Sequence, residues 1–300
     1  MNHLKSRAVA AIIRHLRSSP TVESIGVEQY RTLLENSAKV FKIDPDTQIS
    51  PVSVDHVPGA WITPDKATCD HTILYLHGGG FMGGSINTHK DLGARIAAAA
   101  GARLLMPEYR LAPEHPFPAG LTDAVTAYAW LLDHHVSPEH LVVAGDSAGG
   151  GLALSLLLKL KEEQIPQPRA AVLISPWTDL ACTGDSHARN LGKDPMLSSK
   201  LLVSTAAHYA DKTQLSHPLV SPIHGDFSGL CPLLIQVGSW EVLMDDSVTL
   251  AARAKEAGVE VTLEVWEEMF HVWHYFARYM DPARDAIDAI GEWVRARLKP

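Results

Sequence analysis

The strand and helix patterns of this chain alternate over most of its length, and this alternation constrains the fold more than any other feature. Short apolar runs, typical of buried strands, are separated by longer runs with apolar residues at helical spacing. The alternation predicts crossover connections and an α/β fold with a mostly parallel sheet, so reactive side chains are expected at the carboxyl ends of the strands. The predicted strands are residues 72–77, 102–107, 140–145, 170–175, 232–238 and 260–266, and the predicted helices are 88–100, 120–135, 148–163, 245–257 and 282–298.

Two regions depart from this alternation. Residues 1–48 indicate helices and loops, and the segment 176–231 places a helix near 196–210 between polar, proline-bearing loops. We expect these regions to form a helical cap over a domain that spans 49–300, with the cap insertion at about 180–225. Further predictions are short strands at Val52–Val54 and Ala60–Ile62, and an amphipathic helix from the spacing of Leu4, Ala8, Ile12 and Leu16.

The bulk composition limits the kinds of partner. The chain has 300 residues, of which 46% are hydrophobic and 20% charged, which suits a folded domain with a large core. Its net charge of −8 argues against nucleic acid or an anionic membrane as a main partner. Its three cysteines lack disulfide and metal-ligand spacing, so we expect a cytoplasmic setting and no bound metal. No apolar run suits a secretory signal or a membrane span, so neither is expected.

A sharp turn between a predicted strand and a predicted helix contains the first candidate catalytic residue. Residues Gly145–Gly150 read Gly-Asp-Ser-Ala-Gly-Gly, directly after the apolar run Leu141–Ala144. A G-x-S-x-G sequence in this position holds its serine on a strained turn, with the hydroxyl clear of the sheet edge. The glycines are expected because a Cβ there would collide with neighbouring backbone. Ser147 is therefore the candidate nucleophile.

A second glycine-rich turn follows an earlier strand. The apolar run Ile73–Leu76 leads into His77-Gly78-Gly79-Gly80. A nucleophile that attacks a carbonyl needs donors for the oxyanion of the tetrahedral intermediate, and fixed backbone N–H groups serve without reorganisation. Glycines also let the loop approach the substrate closely. We expect the donors to be the N–H groups of Gly78, Gly79 and Ala148, the last being the residue after the nucleophile.

The candidate base lies in the loop after the last predicted strand. A serine hydroxyl needs a base within hydrogen-bond reach, and that base needs an acid to fix its tautomer. In folds that carry such a turn the chain order is serine, acid, histidine. His271 lies in the loop where the base belongs, and His274, at the expected start of the next helix, is its rival.

The candidate acid lies in the loop after the predicted strand 232–238. Glu241 comes just beyond Gly238, at the carboxyl end of that strand. Asp245 and Asp246 follow it and resemble caps of the next helix. Position favours Glu241, and spacing alone leaves Asp245 open as the acid.

Four motifs together resemble one family: His77–Gly80, the run Tyr109–Ala119 (Tyr-Arg-Leu-Ala-Pro-Glu-His-Pro-Phe-Pro-Ala), Gly145–Gly150, and Ser175-Pro176-Trp177. The chain resembles the hormone-sensitive-lipase-like microbial carboxylesterases of the α/β-hydrolase fold, from about residue 70 to about 271. The resemblance implies an eight-stranded, mostly parallel sheet flanked by helices, with a helical cap. It also implies hydrolysis of short- to medium-chain acyl esters without a cofactor.

The acid loop departs from the family's usual pattern. The family usually has Asp-Pro-Leu there, and this chain has Glu241-Val242-Leu243. The resemblance, carried over by position, makes Glu241 the triad acid, as in some members that use glutamate. Because glutamate is one methylene longer than aspartate, we expect this loop to lie slightly further from His271.

The resemblance extends to residues around the triad. Phe81, Met82 and Trp240 are candidates for the substrate pocket, with simple core packing as the alternative. Arg110 and Glu114 are expected in a buried or half-buried polar network that braces the floor of the site.

Other functions and assemblies stay open at this stage. Related amidases, deacetylases and lipases share the same motifs, and plant gibberellin receptors use the scaffold for ligand binding but lack the histidine that this chain has at His271. Family members often dimerise through the last strand and helix, so Trp293 and Val294 belong either to such a surface or to the core. The partner expected most directly is a small-molecule ester.

Overall fold

Eight strands form one sheet within the residues that this computed structural model describes, which are 7, 9, 11, 22–41, 43 and 46–298. The predicted helix through Leu4, Ala8, Ile12 and Leu16 lies outside the described residues. The strands are β1 (Thr47–Val54), β2 (Val57–Pro64), β3 (Thr68–Leu76), β4 (Ala102–Pro107), β5 (Leu141–Asp146), β6 (Ala170–Ile174), β7 (Leu233–Gly238) and β8 (Val261–Trp266).

The sheet is mostly parallel, as predicted. Its strand order is β1-β2-β4-β3-β5-β6-β7-β8. Only the β1–β2 and β2–β4 pairs among these are antiparallel, and every later pair is parallel. The two short strands expected early in the chain lie within β1 and β2. The carboxyl ends of β5, β7 and β8, which precede Ser147, Glu241 and His271, therefore meet at one edge of the sheet.

Helices connect the strands. They are α1 (Val22–Ala38), α2 (Ile86–Ala100), α3 (Ala119–Asp133), α4 (Ala148–Glu162), α5 (Ser186–Arg189), α6 (Ser199–Tyr209), α7 (Met244–Glu256) and α8 (Asp281–Arg297). Single 3₁₀ turns occur at Pro138–His140, Lys212–Gln214, Pro222–His224 and Trp273–Phe276. None of the helices in the described ranges combines the length and apolar composition that a bilayer crossing requires.

The core lies on both faces of the sheet. Strand β5 is buried along its whole length, because alternate residues point to opposite faces and both faces are covered. Val143 packs in a cluster with side chains of α3, α4 and α7, whereas Val142 packs in a second cluster with side chains of α2 and α8. Strand β5 is thus held firmly at the centre of the sheet, directly before Ser147.

Two elements outside the alternation pack near the carboxyl edge of the sheet. Helix α1 contacts α2 and α6, and it is interrupted at Gly26, whose φ of 74° is not helical. Helix α6 covers most of the helix expected near 196–210 and places Leu202, Ala206 and Tyr209 in the core.

Candidate active site

The turn between β5 and α4 holds Ser147 in a strained conformation. Its φ is 55° and its ψ is −125°, values that cost a non-glycine residue on the order of 1–3 kcal/mol. A Cβ at Gly145 would lie 2.3 Å from the carbonyl oxygen of Gly149, and one at Gly149 would lie 2.1 Å from that of Leu76. Both positions therefore require glycine, as the sequence predicted.

A chain of hydrogen bonds joins Ser147, His271 and Glu241. The Oγ of Ser147 lies 2.8 Å from Nε2 of His271, and Nδ1 of the same ring lies 2.9 Å from Oε2 of Glu241. Glu241 is fully buried, and His271 and Ser147 are at most 9% exposed. This arrangement can remove a proton from the serine hydroxyl and stabilise the imidazolium that results.

The second carboxylate oxygen of Glu241 is also held. Oε1 accepts hydrogen bonds from Oγ of Ser175 at 2.7 Å and from the backbone N–H of Gly238 at 2.6 Å. Ser175 has a φ of 46°, and its Oγ also accepts from the N–H of Val272 at 3.2 Å. Ser175 therefore links the acid to the backbone beside His271. Ser175 was identified from the sequence only as part of a family motif, and no spacing rule pointed to this contact.

His274, the alternative candidate for the base, contacts Gln236 instead of Ser147. Nε2 of His274 lies 2.7 Å from Oε1 of Gln236, beneath the site rather than at Ser147. Burial lowers the pKa of His274 to about 3, so the ring is neutral at ordinary pH.

The other two candidate acids, Asp245 and Asp246, bind groups outside the triad. Asp245 accepts from the N–H of Ser186 at 2.8 Å and pairs with Arg189 at 2.5 Å. Asp246 accepts from the N–H groups of Thr178 and Asp179, each at 2.8 Å. The prediction that these aspartates cap the helix is wrong, because α7 begins at Met244 and places them inside its first turn.

The loop His77–Gly84, here called the oxyanion loop, differs from expectation at one donor. The N–H of Gly78 already donates to Nε2 of His89 and to Oδ1 of Asp146, each at 3.1 Å. Gly78 is therefore not free to hold an oxyanion. Over the described part of the chain, the N–H groups of Gly79, Gly80 and Ala148 have no acceptor. The sequence did not indicate the N–H of Gly80 as one of these groups.

Buried side chains brace the oxyanion loop from below. The carbonyl oxygen of His77 accepts from the hydroxyl of Tyr109 at 2.7 Å, and the two rings stack with centroids 4.3 Å apart. Burial lowers the pKa of His77 to about 3. Asp146 accepts from the hydroxyl of Tyr75 at 2.7 Å. Burial would raise the pKa of Asp146, but contacts with His89 and Tyr75 outweigh it and lower that pKa.

The candidate pocket residues lie close to these loops. The ring of Phe81 stacks on Tyr209 at 3.8 Å between centroids and lies 5.8 Å from Trp177. Met82 is fully buried, and Trp240 is half-buried beside a core cluster. Their contact with substrate stays a prediction.

Two polar residues expected in a buried or half-buried network are exposed instead. Arg110 pairs with the buried Asp123 at 2.7 Å but is 42% exposed, and Glu114 pairs with Arg31 at 2.6 Å but is 55% exposed. The buried member of the network is thus Asp123, on α3. Among the described side chains, no group of three His, Cys, Asp or Glu residues is arranged to hold a metal ion.

The known proteins that are similar in sequence to this chain include hydrolases of esters. Residues 73–275 match the model of a family described by the α/β-hydrolase fold. An acetyl-hydrolase of Streptomyces hygroscopicus is 46% identical over 81% of this chain and 81% of its own length. An esterase of Acinetobacter venetianus is 33% identical over 92% of this chain and 91% of its own length.

Two solved structures have the same fold as this chain over nearly its full length. A crystal structure of an esterase from the bacterial hormone-sensitive lipase family is 41% identical, with a TM-score of 0.94 and coverage of 98% of both chains. A crystal of the protein EstE5 soaked with p-nitrophenyl butyrate is 40% identical, with the same TM-score and coverage.

Proposed function

This chain belongs to the α/β-hydrolases and to their bacterial hormone-sensitive-lipase family of esterases, and we propose how its residues hydrolyse carboxylic esters. We propose that Ser147 is the nucleophile, His271 the general base and acid, and Glu241 the group that orients His271. The observation that carries this proposal is the continuous chain of hydrogen bonds through the three side chains, of 2.8 and 2.9 Å.

Acylation begins with proton transfer inside this chain. As Oγ of Ser147 bonds to the ester carbonyl carbon, its proton moves to Nε2 of His271, and the carbonyl electron pair moves onto oxygen. Glu241 keeps the other ring proton on Nδ1 and stabilises the imidazolium. His271 then gives its proton to the leaving alkoxide, and an acyl-enzyme remains on Ser147. Water attacks this ester by the same route in reverse, with His271 as base, and releases the acid.

The oxyanion in both steps is held by backbone N–H groups. We assign this role to Gly79, Gly80 and Ala148, since Gly78 donates elsewhere. Each such donor typically stabilises the transition state by roughly 2.7–4 kcal/mol. Because these groups are fixed by the loop and by the first turn of α4, they need no reorganisation during the reaction.

We propose short- to medium-chain acyl esters as substrates. The residues 1–48 and 180–225 would form a helical cap over the domain 49–300, leaving limited room beside Ser147. Phe81, Met82 and Trp240 would line the pocket, and the stacked rings of Phe81 and Tyr209 would limit its depth. Support comes from the acetyl-hydrolase relative and from the EstE5 crystal soaked with a butyryl ester.

The remaining proposals concern setting and assembly. We propose a cytoplasmic enzyme that does not bind nucleic acid, on the basis of its net charge of −8 and its sparse cysteines. We also propose a homodimer through β8, an edge strand of the sheet, and α8. Val294 is buried in the core, and Trp293 donates to Oγ1 of Thr262 on β8 at 3.1 Å, so other residues of these elements would form the contact.

A series of p-nitrophenyl esters from acetate to palmitate tests the function. We expect kcat/KM to be highest at acetate or butyrate and to fall at least about tenfold at the longest chain, because a closed pocket excludes added methylenes. Ser147→Ala should lower butyrate hydrolysis by at least about 10⁴-fold, since the nucleophile is lost. Full activity of that variant would refute the serine mechanism, and equal activity on all chains would refute the short pocket.

A further inference from the structure

The loop Ser239–Leu243, here called the acid loop, carries Glu241 and is held by a distant part of the chain. Nδ2 of Asn190 donates to the carbonyl oxygen of Ser239 at 3.0 Å and to that of Glu241 at 2.8 Å. Asn190 is 1% exposed and follows α5 directly. One amide group thus fixes the backbone on both sides of Trp240, including the residue that bears the carboxylate.

A second residue of the same insertion holds the next peptide of the acid loop. Oδ2 of Asp194 accepts from the N–H of Val242 at 3.4 Å, and Oδ1 accepts from Met196 at 2.8 Å and Leu197 at 3.3 Å. Burial raises the pKa of Asp194 to about 6; the charge of His271 opposes this rise and that of Glu241 adds to it. Asp194 therefore lies within electrostatic range of both groups.

Helix α5 completes the contact. Oγ of Ser186 donates to the carbonyl oxygen of Val242 at 2.6 Å and accepts from the N–H of Asp245 at 3.1 Å. Asp245 in turn accepts from the N–H of Ser186 at 2.8 Å. The insertion thus supplies donors to three carbonyl oxygens of the acid loop, those of Ser239, Glu241 and Val242. It also supplies an acceptor to the N–H of Val242, and all of these contacts come from positions about fifty residues earlier in the chain.

We propose that Asn190 and Asp194 are positioning residues for the reaction, which hold the acid loop so that Glu241 meets His271 in the productive geometry. This inference rests on the proposed role of Glu241 as the triad acid. The insertion would then have a second task besides covering the substrate, because it would complete the catalytic triad.

The chemistry of the loop explains why such support is needed. Glu241 has one more rotatable bond than the aspartate usual in this position, so its carboxylate is fixed less by its own backbone. Oε1 is held by Ser175 and Gly238. The backbone of Glu241 bonds to Gly238 and Met244 within its own turn, and Asn190 gives it the one side-chain hydrogen bond from the insertion, at 2.8 Å. A displacement of about 1 Å in such a group can lower the rate by about 10²-fold.

Asn190→Ala is the direct test. We expect kcat for p-nitrophenyl butyrate to fall by about 10- to 100-fold with KM changed less than about threefold, because the substrate pocket is intact and only the triad geometry is loosened. The amount of Ser147 titrated by a fluorophosphonate after long incubation should stay at the wild-type level, which reports that the protein is folded.

Ser198→Ala provides a matched control within the insertion. Ser198 caps α6 by accepting from the N–H of Leu201 at 3.2 Å, so its removal loosens the insertion without touching the acid loop. We expect this variant to keep wild-type kcat. An equal loss of kcat in Ser198→Ala and Asn190→Ala would overturn the proposal, since general loosening would then explain both.

Asp194→Asn covers the case in which Asn190→Ala does not fold. Asparagine keeps an acceptor for Met196 and Leu197 but removes the charge near His271 and presents an N–H group to Val242. We expect a lower kcat and an acidic limb of the kcat–pH profile that moves to lower pH, because the imidazolium of His271 loses a nearby negative charge. Lys193, which donates to Oδ1 of Asn190 at 3.1 Å, is the neighbouring cation and is unchanged.

The outcomes separate this inference from the proposed function. If Ser147→Ala is inactive while Asn190→Ala and Asp194→Asn keep wild-type kcat and pH profile, only the positioning role fails. If Ser147→Ala stays active, the serine mechanism itself fails.

Discussion

Glu241 uses its two carboxylate oxygens for different tasks. Oε2 contacts His271 at 2.9 Å, while Oε1 accepts from Ser175 and Gly238. The carboxylate is fully buried and acts only as an acceptor in these contacts. The ring proton on Nδ1 of His271 is thereby fixed, and Nε2 is left with a lone pair toward Ser147.

Glu241→Gln should lower kcat by about 10³- to 10⁴-fold with little change in KM. The amide is similar in size, but its NH₂ group can face Nδ1 of His271 and favour the wrong tautomer. Steady-state kinetics on p-nitrophenyl butyrate measures the effect.

Asp245→Asn is the control for that substitution. Asparagine loses the charge that pairs with Arg189 but keeps an oxygen that can accept from the N–H of Ser186, so the contact of α5 with the acid loop stays in place. We therefore expect kcat to stay within about threefold of wild type, because a partly exposed ion pair contributes little. The assignment of the acid would be wrong if Asp245→Asn lost more activity than Glu241→Gln.

The residues of the site differed in how readily the sequence predicted them. Ser147 and His271 were predictable because a turn motif and a strand end fix their places. The N–H of Gly78, predicted as an oxyanion donor, points instead to His89 and Asp146, a contact that no local spacing encodes. Ser175 and Asn190 act on Glu241 from 66 and 51 residues away, and nothing around either residue in the sequence indicates those contacts.

One side chain of helix α1 forms a hydrogen bond to the oxyanion loop. Nε of Arg31 donates to the carbonyl oxygen of Met82 at 2.7 Å, and a second nitrogen donates to that of Ala112 at 2.9 Å. The guanidinium also pairs with Glu114. Arg31 thus joins the N-terminal helix, the oxyanion loop and the segment before α3.

Arg31→Ala should destabilise the protein by about 1.5–3 kcal/mol and lower kcat. Two carbonyl oxygens lose a charged donor, and the loop that carries Gly79 and Gly80 loses its outer support. Urea unfolding and the kinetics of butyrate hydrolysis measure the two effects.

Glu114→Ala separates the carbonyl contacts from the ion pair. Glu114 is 55% exposed, so its loss should cost at most about 1 kcal/mol and leave kcat unchanged. If Glu114→Ala were as damaging as Arg31→Ala, the ion pair rather than the carbonyl contacts would hold the helix.

At the scale of the whole molecule, buried titratable groups act on stability in opposite directions. Burial lowers the pKa of His77 and of His274 to about 3. The unfolded chain therefore binds protons that the folded protein does not, and the folded state loses stability as the pH falls from about 6.5 to about 3. Burial raises the pKa of Asp246 to about 7, so the folded protein binds a proton that the unfolded chain releases near pH 4. The stability contributed by Asp246 is therefore lost as the pH rises from about 4 to about 7.

Asp246→Asn should raise the free energy of unfolding at pH 8 and leave it nearly unchanged at pH 4. The amide oxygen can still accept from Thr178 and Asp179, and the buried charge that forms above pH 7 is absent. The expected gain at pH 8 is on the order of 2–4 kcal/mol. Denaturant unfolding at the two pH values measures it, and a loss of stability at pH 8 would show that the ionised carboxylate is the stabilising form.

The overall fold was more predictable than its boundaries. The alternation of apolar runs predicted the parallel strands because β5 and its neighbours are buried on both faces and carry continuous apolar sequence. Helix α2 begins two residues before the predicted start, since Ser85 and Thr88 form a capping box there. The strand order was not predicted, because it depends on long-range pairing that no local pattern encodes.

The backbone conformation of Ser147 is needed for its reactivity but lowers the stability of the folded protein. Its left-handed φ of 55° is maintained by the surrounding sheet and helix rather than by any preference of serine. Mutations elsewhere that strengthen the core would help the protein tolerate this strain, whereas relaxing the turn itself would move the hydroxyl away from His271. Selection for a longer-lived enzyme would therefore have to act on the rest of the molecule and leave this one unfavourable conformation in place.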